Sequence, residues 1–402
     1  MELASDRARL EEIDNIRSTL PPSDPSHSRL QHERRAIRSR LLDYTYPILT
    51  LPNELVVEIF KQTMPEWPDM PALIGPEAGM DTLSPTTLLG ICRLWRTLAL
   101  QTPVLWSRIQ VNARDRDLKI AQTWLRRSAT QPLSLSFDYE DTNMDVDVDS
   151  NFSLILFWQE MALDLFCVHR LRWEYVRFYV CGHDALETLS GAAPLLVEAH
   201  ISADQLGRAR TPIRLRDAPT CNVYLWGVAY DLESVSWKQL TCLMLFCTEF
   251  TYIAPVLREA TSLLHCKLLL CDITTETIHI TLPRLQTLVI QTDDEIDGGV
   301  DCLGHFTLPA LRRLELDHLF LEFSGAGPSI TALVARSQCR LERLQITEFG
   351  PMGNEISPPL AECVEATQRE LLGVSVHGYA MNRQQDDKWW LKDVYWGGEE
   401  DD

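Results

Sequence analysis

The sequence predicts an α part followed by an α/β part. Short helices fill the N-terminal quarter, and a repeat solenoid follows, built on a curved parallel sheet with helices outside. Two observations predict this. Up to about residue 110 the apolar residues recur at helical spacing. Beyond that point an L-x-x-L-x-L pattern with a β-like tail recurs nine times, and its flanks recur with it.

In the lead-in, residues 1–45, Leu3, Leu10, Ile13, Ile16 and Leu20 are spaced as on a helix or short coiled coil. Pro21-Pro22-Ser23-Asp24-Pro25 breaks it, because proline lacks the amide donor and clashes with the preceding turn. A second run carries Leu30, Ile37, Leu41 and Leu42 on one face, with Arg34, Arg35, Arg38 and Arg40 elsewhere. The expectation is a helical hairpin that either packs as a lead-in or self-associates.

Residues 46–110 read as a three-helix unit. Thr50 is a candidate cap and Pro52 suits a first turn. Leu51, Leu55, Val56, Ile59 and Phe60 then line one helical face. After a polar loop at 65–83, Ser84-Pro85 opens a helix carrying Leu88, Leu89, Ile91, Cys92, Trp95, Leu98 and Ala99. A third short helix from Thr102-Pro103 holds Leu105, Trp106 and Ile109.

Over 111–388 the best copies are Leu240/Leu243/Leu245, Leu285/Leu288/Ile290, Leu311/Leu314/Leu316 and Leu341/Leu344/Ile346. Weaker ones fall at Trp173/Val176/Phe178, Leu196/Ala199/Ile201, Cys221/Tyr224/Trp226, Leu263/Cys266/Leu268 and Leu371/Val374/Val376. Successive copies lie 19 to 30 residues apart, around the roughly 20–29 of a leucine-rich repeat. Thr281-Leu282-Pro283-Arg284-Leu285 echoes Thr307-Leu308-Pro309-Ala310-Leu311, and Ala193-Pro194 recurs as Ala218-Pro219. One strand cannot bury its face alone, so such repeats stack on a shared core. The Asn/Cys ladder position of these repeats is filled only by Cys271. Residues 389–402, with Trp389, Trp390 and Trp396 before an acidic stub, read as an aromatic cap and tail.

The 402 residues carry a net charge of -20, of which residues 1–50 contribute zero and residues 51–110 contribute -2. The remaining -18 repels phosphate backbones and anionic lipid, so neither nucleic acid nor a membrane is an expected partner. No stretch reaches the roughly 18 apolar residues of a membrane helix. The N-terminus lacks a basic segment followed by an apolar core, and the eleven cysteines form no C-x-x-C. A soluble intracellular protein with reduced thiols is expected, in cytoplasm or nucleus.

Catalytic and metal signatures are missing from the sequence. There is no G-x-S-x-G, P-loop or G-x-G-x-x-G, and Gly325-Ala326-Gly327-Pro328 reads only as a loop. Asp145, Asp147 and Asp149 alternate as in a calcium loop, but Ser150 and Leu156 stand where glycine and glutamate belong. Cys242, Cys247, Cys266 and Cys271 form two C-x4-C pairs, looser than zinc knuckles, and read as structural thiols. Neither an enzyme nor a bound metal or cofactor is expected.

The three-helix stretch has a resemblance. Leu51-Pro52-Asn53-Glu54-Leu55-Val56-Val57-Glu58-Ile59-Phe60 resembles the opening helix of an F-box. Leu89 to Ala99, with its Ile91-Cys92-Arg93-Leu94-Trp95 core, is similar to the second helix, and Thr102-Pro103-Val104-Leu105-Trp106 to the closing segment. Tyr46 to Pro52, Trp124-Leu125-Arg126-Arg127-Ser128 and Gln131-Pro132-Leu133-Ser134-Leu135 extend the likeness to the F-box-like group of mushroom-forming fungi, which continue into irregular leucine-rich repeats. The 65–83 loop is longer than the turn of a compact F-box.

The resemblance implies a substrate-recognition adaptor of an SCF-type ubiquitin ligase. The F-box would dock on the Skp-family linker subunit, and through it a cullin, by Leu51, Pro52, Leu55, Ile59, Cys92, Trp95, Leu105 and Trp106. The repeats would bind a target protein, and their -18 charge favours a target with a basic patch. The alternative is a repeat scaffold whose drifted F-box no longer docks.

Overall fold

The computed structural model describes residues 2–21, 24–43, 47–64, 84–112, 115–138, 148–204, 212–272, 278–292, 302–322, 326–349, 358–371 and 373–381. The chain forms two compact units. One takes in 1–64 and 88–101, and the other takes in 65–87 and 102–402.

The first unit opens with the expected hairpin, α1 (Glu2–Thr19) and α2 (Pro25–Asp43), which buries Ile13 and Ile37. Three ion pairs cross it: Arg9 Nε donates to Glu33 at 2.8 Å, Arg34 Nε to Asp14 at 2.6 Å and Arg40 Nη2 to Asp6 at 2.6 Å. A 3-10 turn (Pro47–Thr50) leads into α3 (Asn53–Gln62). Thr50 lies in that turn, and the cap of α3 is Pro52, which makes no side-chain capping bond. The single helix expected after Ser84 is two: α4 (Pro85–Ile91) and α5 (Arg93–Leu100). Cys92 separates them in an extended conformation (φ -154°, ψ 171°), and its sulfur accepts from the Trp95 amide at 3.5 Å, doing the work of an N-cap.

The second unit alternates strands with helices and turns. In chain order it contains β1 (Arg108–Asn112), α6 (Asp115–Arg127), β2 (Leu133–Asp138), α7 (Val148–Cys167), β3 (Trp173–Cys181) and α8 (His183–Leu189). Next come β4 (Gly191–Ala192), β5 (Glu198–Asp204), β6 (Leu215–Arg216), β7 (Asn222–Trp226), β8 (Cys242–Glu249) and α9 (Phe250–Glu259). Then follow β9 (His265–Asp272), β10 (Ile280–Thr281), β11 (Thr287–Thr292), β12 (Phe306–Thr307), β13 (Arg313–Asp317) and α10 (Leu319–Glu322). The last elements are α11 (Ala326–Ser337), β14 (Arg343–Phe349), α12 (Pro358–Glu370) and β15 (Ser375–Met381).

Eleven of these strands make one sheet in the order β1-β2-β3-β5-β7-β8-β9-β11-β13-β14-β15. Every neighbouring pair is parallel. Helical N-terminal elements followed by an all-parallel sheet, with helices between strands, give the leucine-rich-repeat-like solenoid that the sequence predicts.

The register shows why the repeat works. Val176, Ala199, Val223, Leu243, Cys266, Leu288, Leu314 and Leu344 lie side by side, as do Phe178, Ile201, Leu225, Leu245, Leu268, Ile290, Leu316 and Ile346. None of the sixteen exceeds 2 % exposure. Apart from Ala199 and Cys266, each of these side chains contributes roughly 1.5–3 kcal/mol on full burial, so the two rows are a main part of the second unit's core. The repeated flanks have a separate role. β10 pairs with β12 and β4 with β6, so Thr281-Leu282-Pro283 and Thr307-Leu308-Pro309 occupy equivalent rungs of a small second ladder.

Several expectations change. The copy read as Cys221/Tyr224/Trp226 is displaced by one: Val223 and Leu225 pair with Ala199 and Ile201, and Thr220, fully buried, takes the first position. A slip of one residue moves a strand's side chains to the opposite face, so Tyr224 and Trp226 face away from that core. In the last copy Val376 stands opposite Leu344, at the second position rather than the third. Two copies lie upstream: Ile109 pairs with Leu135 and Val111 with Phe137, so Ile109 belongs to a strand and not to a third helix. Cys271 is exposed and fills no ladder position. Ala326, read as part of a loop, opens α11. The 65–83 loop and the 389–402 cap lie outside the described residues.

Candidate interaction surfaces

On α3 the predicted apolar face divides in two. Val56 and Phe60 are buried at 0 % and 1 %, whereas Leu51, Leu55 and Ile59 are 36 %, 53 % and 38 % exposed. Leu55 and Ile59 are four apart and share one side of the helix, while Leu51 precedes the Pro52 cap. Pro52, ahead of the first turn, is exposed too. In the same unit Ile91 and Leu100 are 52 % and 42 % exposed. Val56 and Phe60 hold α3 on its own core while the outer stripe is left to water, a combination that suits a partner surface.

Cys92 and Trp95, also expected at the docking surface, are half-buried. The Trp95 indole meets the Phe60 ring edge-on, with centroids 4.9 Å apart, and its buried Nε1 has no hydrogen-bond partner among the described residues. Arg96 Nε donates to the Leu89 carbonyl at 2.9 Å, tying α5 to α4. Leu105 and Trp106 belong to the second unit and are buried at 3 % and 0 %. There Trp106 packs edge-on against Trp124 at 5.5 Å, under the Arg127 guanidinium at 4.3 Å. Six of the eight expected docking residues thus lie in the first unit, and two form core at the first edge of the sheet.

The sheet's other face was not singled out from sequence. Opposite the core rows it carries a row of Arg177, His200, Tyr224, Met244, Lys267, Val289, Glu315 and Gln345, in register. Beside it Tyr179, Ser202, Trp226 and Phe246 form another. Aromatic rings cluster where these rows cross β3, β5, β7 and β8. His200 and Tyr224 have centroids 3.9 Å apart, and Trp226 stacks on Phe246 at 5.0 Å and 16°. Tyr224 is anchored beneath: its hydroxyl donates to Cys242 Sγ at 3.5 Å, and burial pushes its pKa well above the ordinary phenol value. Trp226 remains 49 % exposed. These residues line a shallow cleft of about 40 Å³ that is open to solvent.

The charge on this face differs from that of the chain. Its register rows carry Arg108, Arg177, Lys267, Arg313 and Arg343 against Asp138, Glu198, Glu315 and Asp317. In the neighbouring row Glu198 accepts from His200 Nε2 at 2.9 Å and from Asn222 Nδ2 at 2.7 Å.

The weak metal motifs do not assemble. Cys242 and Cys266 occupy neighbouring strands but opposite faces, and Cys271 is exposed. Asp149, Ser150 and Leu156 lie within α7, where no twelve-residue calcium loop can form. Among the described residues no helix is long and apolar enough to cross a membrane. Comparison with protein-family models and with curated proteins finds no match for this chain.

Proposed function

We propose that the chain is a non-enzymatic, intracellular adaptor of an SCF-type ubiquitin ligase. Its F-box-like helices dock on the Skp-family linker subunit, and through it on a cullin, while the repeat sheet holds a target protein. The observation that supports this reading is the exposed pair Leu55 and Ile59 on α3, with exposed Leu51 just ahead of its cap, while Val56 and Phe60 on the same helix are fully packed. Its physical logic is proximity: binding raises the target's effective concentration beside a ubiquitin-charged enzyme without chemistry by the adaptor itself. Neither nucleic acid nor a lipid surface has a place in it.

Co-expression with the host's Skp-family subunit, followed by pulldown, tests the reading. The wild type should retain the subunit and Leu55→Asp should lose it while staying folded. A folded wild type that retains nothing overturns the proposal. The second reading, a scaffold with a drifted F-box, is favoured by one observation: Leu105 and Trp106 are fully used as core in the second unit.

A further inference from the structure

The outer side of α7 is an apolar stripe on a helix whose inner side is fully packed. Buried Gln159 clamps this helix to the end of β3. Its Nε2 donates to the Cys181 carbonyl at 2.7 Å, and the Cys181 amide donates to its Oε1 at 2.7 Å. Ala162, Leu163 and Phe166 are buried on the same side, where Phe166 stacks on Phe178. The opposite side carries Leu154, Phe157 and Met161, each 46–51 % exposed, and Val168, directly after the helix, is more exposed still. At 3.6 residues per turn the three helical residues fall within about 60° of arc. Their i, i+3, i+7 spacing is the one by which a helix sets its side chains between those of another. A helix fixed from below loses little freedom on contact, so the stripe is prepared for a partner.

The charge beside the stripe selects the occupant. Glu160 and Asp164 lie together along one flank of the arc, both exposed and neither ion-paired with another described residue. α7 has no basic residue, and the sequence holds no Lys or Arg between Arg127 and Arg170. Residues 138–149, which lead into the helix and form its first turn, carry six carboxylates. A second copy of α7 would set carboxylate against carboxylate with no cation to relieve them, and an anionic lipid surface would be repelled. Lys or Arg set beside apolar side chains would meet a complementary field.

We propose that the outer side of α7 docks an amphipathic helix of a partner protein, apolar at three- and four-residue intervals and with Lys or Arg along one flank. The inference goes beyond the adaptor reading and does not rest on it, since nothing in it involves the F-box-like helices.

Selection from a displayed library of helical peptides tests it, with the full chain as bait and the Phe157→Ser/Met161→Ser chain for counter-selection. The expected winners place Leu, Ile or Phe at three- and four-residue intervals with Lys or Arg along one flank. The strongest is then synthesised and titrated by fluorescence polarisation. Phe157→Ser/Met161→Ser should weaken it at least about tenfold, and Glu160→Lys/Asp164→Lys about threefold to tenfold, both with the melting transition kept. The same peptide with Glu in place of its flanking bases should prefer the Glu160→Lys/Asp164→Lys chain. Acidic winners, no winner that survives counter-selection, or affinity untouched by the charge reversal overturn the proposal. So does sedimentation showing self-association that Phe157→Ser abolishes, which makes a second copy the occupant. Pulldown with the Skp-family subunit separates the two readings. A chain that binds the subunit but selects no basic amphipathic peptide refutes this inference and leaves the adaptor role standing. A chain that selects such peptides but never binds the subunit does the reverse.

Discussion

The Trp95 indole meets the Phe60 ring at 4.9 Å and 65°, so Trp95, half-buried, braces α5 against α3. Phe60, only 1 % exposed, is the inner half of that contact. Phe60→Ala should cost about 3–5 kcal/mol in urea unfolding, as for other buried phenylalanines. Leu55→Asp, on the solvent side of the same helix, should stay within about 0.5 kcal/mol of the wild type. The comparison separates loss of docking from loss of fold, and shows why a Trp95 substitution confounds them.

A second prediction concerns Gly378, which pairs with Ile346 at the end of a core row otherwise filled by large side chains. A Cβ there would stand 2.9 Å from Val364 Cγ2 and 3.5 Å from Leu360 Cγ, so the glycine lets α12 come close to β15. Gly378→Ala should destabilise by about 1–3 kcal/mol through overpacking, read as a lowered thermal midpoint.

The hairpin should respond to acid. Arg40, Arg34 and Arg9 donate hydrogen bonds that hold Asp6, Asp14 and Glu33 below their ordinary values of 3.8, 3.8 and 4.5. Carboxylates depressed in the folded state contribute stability that is complete above those ordinary values and disappears as pH falls through the depressed ones. Amide exchange in α1 and α2 should therefore lose protection below about pH 4, with little change between pH 5 and 7. Added salt should weaken the contribution, since the pairs are solvent-accessible.

Thiol reactivity supplies a fourth test. Burial pushes Cys242 up to about 12 and raises Cys266 as well, whereas Cys271 is exposed. At pH 8 an alkylating reagent should modify Cys271 well before Cys242 and Cys266, which should react only under denaturing conditions. Mass spectrometry of the labelled peptides reads the order. The sign for stability follows: the unfolded chain ionises these thiols near the ordinary 9.0 and the folded one does not, so stability falls as pH rises above about 9.

Much of the fold was legible because its repeat is a packing requirement. Leu243/Leu245, Leu288/Ile290, Leu314/Leu316 and Leu344/Ile346 are leucine-rich and buried in register. Weaker copies misled for a physical reason. In Asn222-Val223-Tyr224-Leu225-Trp226 both alternating sets are apolar, so hydrophobicity cannot say which one faces the core. Spacing could have decided: Val223 and Leu225 divide the interval between neighbouring copies more evenly than Tyr224 and Trp226 do. That slip hid the aromatic cleft, since Tyr224 and Trp226, two of the residues that line it, read as interior. β1 and β2 escaped notice because Arg108–Asn112 and Leu133–Asp138 lack the leading leucine of the pattern. Cys92 reads as helical because nothing in Leu89 to Ala99 interrupts the apolar spacing, while its sulfur, accepting from the Trp95 amide three residues on, caps a new helix locally, a role the apolar pattern does not mark.

In the eleven-strand sheet the spatial order follows the chain order, so an inner strand is fastened only to the strands before and after it. Such an arrangement has a mechanical character. Tension between the ends of the sheet runs across the strands and loads their hydrogen bonds one rung at a time. Under a steady pull the structure should pay out from a terminus in short steps, as a strip of adhesive tape peels, while the rows still zipped hold their shape.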